Sequence, residues 1–391
     1  MNKRFALTTV FFVVLIDLMG FGIVLPLLPF YAEKFGVSAV AIGLLYTVYS
    51  LAQLIFSPIW GSLSDRFGRK PIMIISTLGS TASYILFGFS SSFVVLFLSR
   101  LLAGSMGGNI SAAQACVADI TSPEDRAKGM GLIGAAFGIG FVVGPAIATF
   151  FVHSVAFIAA GLSFTSFLMV CFALPETRQA AQASDDARVV RSSIFSIQFW
   201  KSLKGEGDSK SLLPHLFAGA FLLALGQSSL YSAFPLFCKS RLGLSPQKVA
   251  MQFVAMGLIA IFIQGGLIRV LLKKFSEKSL FLTGSALMIL GMALIPWASS
   301  EKSLMLFLGI MSVGASLNGP TLTSLISKNS SQNQIGQTMG SAQGASALGR
   351  VVGPTWGGFL LGVSYFAPFL LTSIVLISTI FIGLELIQNP A

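Results

Sequence analysis

Apolar runs of about 20 residues recur from one end of this chain to the other, and they restrict its fold more than any other feature. A run of that length crosses a hydrocarbon core about 30 Å thick. At that depth only helices and closed barrels satisfy every backbone polar group. Barrel strands would read as alternating segments of about ten residues, whereas these runs are continuously apolar, so the spans are helices. Twelve are expected, over 5–31, 40–61, 71–90, 93–117, 128–151, 155–174, 213–238, 246–269, 279–298, 303–326, 336–362 and 365–387. Composition agrees: the chain is 10% charged, where a soluble domain carries about 25%. The first run follows Lys3 and Arg4, but Asp17 interrupts it and no small-residue cleavage site follows, so it is expected to be a span rather than a signal peptide.

Eighteen of the 25 lysines and arginines fall before the first span or in loops on that same side. The other side has only Lys34, Lys239, Arg241, Lys248 and Lys302. The positive-inside rule then places both termini in the cytoplasm; the expected location is the cytoplasmic (inner) membrane. The net charge of +11 follows from that bias and implies no nucleic-acid partner. Cys116, Cys171 and Cys238 have neither metal-ligand spacing nor an even disulfide count, so they read as small apolar packing residues.

The longest polar stretch, Pro175 to Ser211, follows the sixth span. It divides the chain into an amino-terminal bundle (1–174), a cytoplasmic linker (175–212) and a carboxy-terminal bundle (213–391). Within the linker, "IFSIQFW" reads as a short piece lying on the membrane surface. The two bundles are related. A shift of 209 residues lays "KGMGLIGAAFGIGFVVGP" (128–145) on "QTMGSAQGASALGRVVGP" (337–354), with 8 of 18 positions identical. Shifts of 206 and 208 place Gly20 on Gly226, Pro29 on Pro235, Phe67 on Phe275 and Lys70 on Lys278. Six spans per copy is an even number, so the copies share one orientation. Parallel repeats of this kind hold substrate near the bilayer midplane between two bundles.

Three motifs stand out. "GSLSDRFGRKPIM" (61–73) joins spans two and three. Gly61 would permit close helix approach, Asp65 could face a helix N-terminus, and Arg66, Arg69 and Lys70 would hold the loop on the cytoplasmic side. Its counterpart "RVLLKKFSEK" (269–278) is degraded, with Lys273 in the place of Asp65. Span four opens with Arg100 and a face of small residues, Gly104, Gly107, Gly108 and Ser111, suited to close packing. Span five carries Gly140, Gly144 and Pro145; span eleven repeats Gly353 and Pro354 but replaces Phe141 by Arg350.

The first motif, with Gly61, Asp65, Arg66, Gly68, Arg69 and Lys70, matches every fixed position of the G-x-L-x-D-R-x-G-R-K signature and resembles the major facilitator superfamily. "LIDLMGFGIVLPLLP" and "GIGFVVGP" are similar to the twelve-span drug:proton antiporter branch, and the resemblance extends over essentially the whole chain. It implies an all-α polytopic membrane protein of twelve transmembrane helices in two parallel-repeat six-helix bundles. It also implies that Asp65 helps latch the halves on the cytoplasmic side. Tetracycline exporters carry a carboxylate in the third span, in the stretch resembling "STASYILF"; Ser83 stands there, which argues against tetracycline itself.

Asp17 is the one acidic residue deep in a span, and Arg100 and Arg350 are the deep basic residues. A charge there costs about 2.5 to 3.5 kcal/mol on insertion scales. Two readings stand: a structural Asp17–Arg100 pair, or a proton site. A carboxylate pulled one way by desolvation and the other by an arginine can load and release a proton in turn. Tyr49, Gln53, Asn109, Gln114, Gln227, Tyr231, Asn318, Gln343 and Arg350 could line a substrate cavity; each apart from Arg350 could equally be a helix-to-helix hydrogen bond. No cluster of His, Cys or acids could hold a metal or build a nucleophile–base pair, so neither an enzyme nor a cofactor is expected. The expected function is proton-coupled export of a small organic molecule, drug-like or amphiphilic, by a monomer working by alternating access. The alternative is uptake or exchange of an anionic or zwitterionic metabolite, siderophore or lipid-like molecule.

Overall fold

A computed structural model describes residues 3–107, 109–121, 126–177, 212–330 and 335–388. The expected linker lies almost wholly outside the described residues, and so does its "IFSIQFW" segment. Among the described residues there is no strand. The helices are α1 (Lys3–Val24), α2 (Leu28–Glu33), α3 (Ala39–Phe67), α4 (Arg69–Gly88), α5 (Phe93–Met106), α6 (Asn109–Ile120), α7 (Arg126–Phe150) and α8 (Val155–Ala173). They continue as α9 (Leu213–Leu242), α10 (Pro246–Phe262), α11 (Ile268–Lys274), α12 (Glu277–Leu294), α13 (Glu301–Lys328), α14 (Ile335–Val363) and α15 (Ala367–Gln388).

Two expected spans are split. The first ends at Val24 and resumes at Leu28, because Pro26 lacks an N–H and its ring crowds the preceding turn. The fourth breaks at Gly107, between α5 and α6. The eighth is longer than expected, since a π-helical turn at Ile263–Leu267 carries α10 into α11. Eleven segments among the described residues are long and apolar enough to cross a bilayer. The expected eleventh span, α14, has the length at 29 residues but is not among them. Gln337, Gln343 and Arg350 lower its hydropathy.

By packing, the residues form two units. The first contains α1, α2, α4 to α8, α3 from Val48 onward and the 245–254 start of α10. The second contains the 38–47 start of α3, α9, the rest of α10, and α11 to α15.

Glycine sets the closest approaches inside each unit. A Cβ on Gly140 of α7 would lie 2.7 Å from the Leu18 Cβ of α1, and one on Gly144 would lie 2.8 Å from the Gly22 backbone. No larger residue fits between these two helices. The second unit repeats the seam: Gly349, Gly353 and Gly357 of α14 lie against Phe221, Ser228 and Ser229 of α9. There, Ser228 donates to the Gly349 carbonyl at 3.1 Å and Ser232 to the Pro354 carbonyl at 2.8 Å. Van der Waals packing and hydrogen bonds of this sort hold helices together where lipid is as apolar as leucine. The surface is apolar in turn, with Phe150, Phe172 and Phe262 largely exposed, as a lipid-facing surface requires.

Candidate functional site

Four helices of the first unit bring polar groups to one place. Asp17 stands 14 residues into α1, about 21 Å along its axis. Arg100 of α5 is buried, 3% exposed, with its guanidinium carbon 4.8 Å from the Phe87 ring centroid and 5.7 Å from that of Tyr84. Its Nε donates to the Ser99 hydroxyl at 3.4 Å. Desolvated cation–π contacts of this kind stabilise a guanidinium by about 2 kcal/mol, so aromatic faces carry part of the cost of the buried charge. Tyr84 of α4 is itself buried and lies within electrostatic reach of Tyr49, Arg100 and Asp17. Its hydroxyl rests over Gly20, one turn beyond Asp17; a Cβ there would stand 2.7 Å from it. The arrangement is a carboxyl, a guanidinium and a phenol converging from α1, α5 and α4.

Sequence reasoning missed Tyr84. It attended to the neighbouring Ser83, whose hydroxyl donates within its own helix to the Ser80 carbonyl at 2.7 Å. The available signal was a phenol inside an apolar span, one of only six tyrosines in the chain.

Tyr49 and Gln53, one turn apart on α3, approach the break in span four. Gln53 Nε2 donates to the Gly107 carbonyl at 3.4 Å, and a Cβ on Gly107 would lie 3.4 Å from the Tyr49 hydroxyl. Phe21 packs on Tyr49 with centroids 5.0 Å apart and edge-to-face on Phe141 at 5.8 Å. The Asn109 side chain lies outside the described residues, and Gln114 is exposed.

In the second unit, Gln227 and Tyr231 are one turn apart on α9, with the Gln227 side chain near the Tyr231 hydroxyl. Arg350 of α14 lies within electrostatic reach of the Tyr231 hydroxyl. Gln227, Gln343 and Arg350 are exposed, and Tyr231 is half-buried. Asn318 differs from the cavity-lining expectation. It is 1% exposed, clamped between α13 and α12 against Gly284, with the Ser285 hydroxyl 3.5 Å from its Oδ1.

The 61–73 motif folds differently from its sequence reading. Helix α3 runs through it to Phe67, so Asp65 sits in the last turn of α3 and pairs with Arg69 in the first turn of α4. Arg69 is 8% exposed rather than a surface anchor. Its Nε donates to Asp119 of α6 at 2.8 Å and a terminal nitrogen to the Ser64 hydroxyl at 2.8 Å. The carboxylate at the α4 N-terminus is Glu176, not Asp65. Glu176 accepts from the Arg69 and Lys70 amides at 2.9 and 3.2 Å, satisfying donors that no helix can satisfy internally. Gly68 makes this possible: its φ is +100°, and a Cβ would stand 2.8 Å from the Glu176 carboxyl carbon. Arg66 lies over the Phe67 ring at 5.2 Å. Gly61 is not a close-approach glycine here, since a Cβ would meet nothing nearer than the Ser111 hydroxyl at 3.8 Å.

The second unit carries the same device with its signs reversed. The repeat offsets of 208 and 209 take Arg69 to Glu277 and Asp119 to Lys328. Lys328 Nζ lies 2.7 Å from Glu277 Oε2, and the Ser324 hydroxyl donates to Oε1 at 2.7 Å.

Compared with known proteins, the chain matches the Major Facilitator Superfamily over residues 10–354 and, in a second match, 266–390. It is 29% identical to the class B tetracycline resistance protein of Escherichia coli over 94% of each chain. Multidrug resistance protein 2 of Bacillus subtilis is 29% identical over 94% of this chain and 93% of its own length. Among solved structures, the human organic anion transporter MFSD10 superposes with a TM-score of 0.72 at 26% identity, over 98% of this chain and all of that one.

Proposed function

Because the chain belongs to the Major Facilitator Superfamily, whose members are transporters and not enzymes, we propose that it couples proton entry to the export of a small organic molecule by alternating access. The observation that carries this reading is the convergence of Asp17, Arg100 and Tyr84 in the first unit. Asp17 and Arg100 both lie within electrostatic reach of Tyr84, and the Arg100 guanidinium also leans on aromatic rings. Burial and the approach of an arginine act on a carboxylate's proton affinity in opposite senses, so a conformational change that alters either can load or release its proton. Export is supported by relatives named for tetracycline and multidrug resistance. Within this proposal the protein is a monomer of the cytoplasmic (inner) membrane with both termini inside, built as bundles 1–174 and 213–391 joined by 175–212. Gly140, Gly144, Pro145, Gly353 and Pro354 act in the helix seams, and Asp65 with its motif in the cytoplasmic latch.

Asp17→Asn tests the reading. The amide mimics a permanently protonated site, so gradient-driven flux in proteoliposomes stops while substrate exchange without a gradient survives. Full gradient-driven accumulation by Asp17→Asn would falsify the proton-carrier role and leave a structural partner of Arg100.

A second reading, uptake or exchange of an anionic or zwitterionic metabolite, draws on exposed Arg350 and on the similarity to a protein described as an organic anion transporter. The direction of accumulation under an imposed proton gradient decides between them.

A further inference from the structure

We propose that Arg350, with Tyr231 and Gln227, forms a binding subsite for the carboxylate of an organic monoanion. This rests on the transport reading, whichever its direction, and deepens it by assigning the charged group of its substrate.

The repeat supplies the first argument. Shifts of 206 and 209 place Gln227 on Phe21 and Arg350 on Phe141. Phe21 and Phe141 meet edge-to-face in the first unit. The second unit therefore replaces an aromatic contact by an amide and a guanidinium at matched positions, while keeping the glycine seam beside it. That seam supplies the second argument. With Gly349 and Gly353 held against α9, Arg350 is turned onto the face that also carries Gln343, two turns earlier. This face is open: Gln343 and Arg350 are exposed, and a Cβ on Gly340 would meet nothing within 4 Å. The third argument is charge. Arg350 lies 15 residues into α14, about 22 Å along it.

A guanidinium presents two parallel N–H groups that match a carboxylate. The Tyr231 hydroxyl and Gln227 amide add neutral donors for its remaining lone pairs. One fixed positive charge suits one negative head group, and the apolar helices around it suit an apolar body.

The test is equilibrium binding to the purified full chain, with 2-naphthoate and its neutral amide, 2-naphthamide, as probes. The unsubstituted protein is expected to bind the acid more tightly than the amide. Arg350→Gln should weaken the acid about tenfold or more, the size of a lost charge-assisted hydrogen bond, and leave the amide within about twofold. Arg350→Lys should retain part of the preference, and Tyr231→Phe should weaken the acid by a smaller factor; these two decide the matter if Arg350→Gln does not fold. Equal loss of acid and amide, an unchanged preference, or no preference in the unsubstituted protein would overturn the subsite. The readout needs no proton gradient, so its failure is separate from failure of coupling at Asp17.

Discussion

Tyr84 shows how much a single hydroxyl can matter in a site built of few polar atoms. Its ring receives the Arg100 guanidinium and its hydroxyl sits over Gly20. Tyr84→Phe keeps the ring and removes only the hydroxyl. Because the hydroxyl lies within electrostatic reach of both Asp17 and Arg100, we expect gradient-driven flux to fall severalfold with little change in melting temperature. Undiminished flux would reduce Tyr84 to a packing residue. Asp17 and Arg100 were legible in the sequence because charges are rare at membrane depth. Tyr84 was not, because its apolar body lets it pass for filler and its partners come from spans one, two and four. Asn318 misled in the opposite direction: a carboxamide in a span reads the same whether it faces an opening or is clamped by Gly284.

At the scale of the element, the pair Arg69–Asp119 and its reversed copy Glu277–Lys328 tie the first turns of α4 and α12 to α6 and α13. Glu277 is 18% exposed and Lys328 67%, so solvent screens the second pair and its contribution is about 1 kcal/mol or less. Lys328→Glu sets two acids against each other and should lower the melting temperature. Adding Glu277→Lys should restore it, and a double variant no more stable than the worse single one would mean that the pair is incidental. The sequence showed the 61–73 motif but not where its carboxylates act. Asp119 and Glu176 arrive from more than 40 residues away. The degraded second copy conceals the correspondence until the contacts are seen. Helix ends were the weakest part of the reading, because the break at Gly107, where Gln53 of α3 reaches the carbonyl, and the π-helical turn at Ile263–Leu267 leave no mark in hydropathy.

At the scale of the molecule, hydropathy and the internal repeat made the fold class legible, since a bilayer leaves the backbone so few choices. Among the expected spans, α14 alone falls short in hydropathy, and one of the residues that lower it, Arg350, is the charge proposed to bind substrate. The uneven lysines and arginines predict a topology that reporter fusions can check. A fluorescent reporter at the carboxyl end should be active on the cytoplasmic side, and a cysteine placed beside Lys34 should react with an impermeant maleimide from outside. The opposite labelling pattern would invert the orientation.

The reversed ion pair also bears on how such a chain can change over time. Two related halves in one gene invite recombination that copies a segment of one into the other. Copying residues 69–86 over 277–294 would put an arginine opposite Lys328, and the reverse exchange would put a glutamate opposite Asp119. Each event sets like charges against each other where an ion pair of 2.8 or 2.7 Å had been. The two polarities therefore penalise homogenisation of the halves, and leave one free to keep its aromatic contact while the other acquires Arg350.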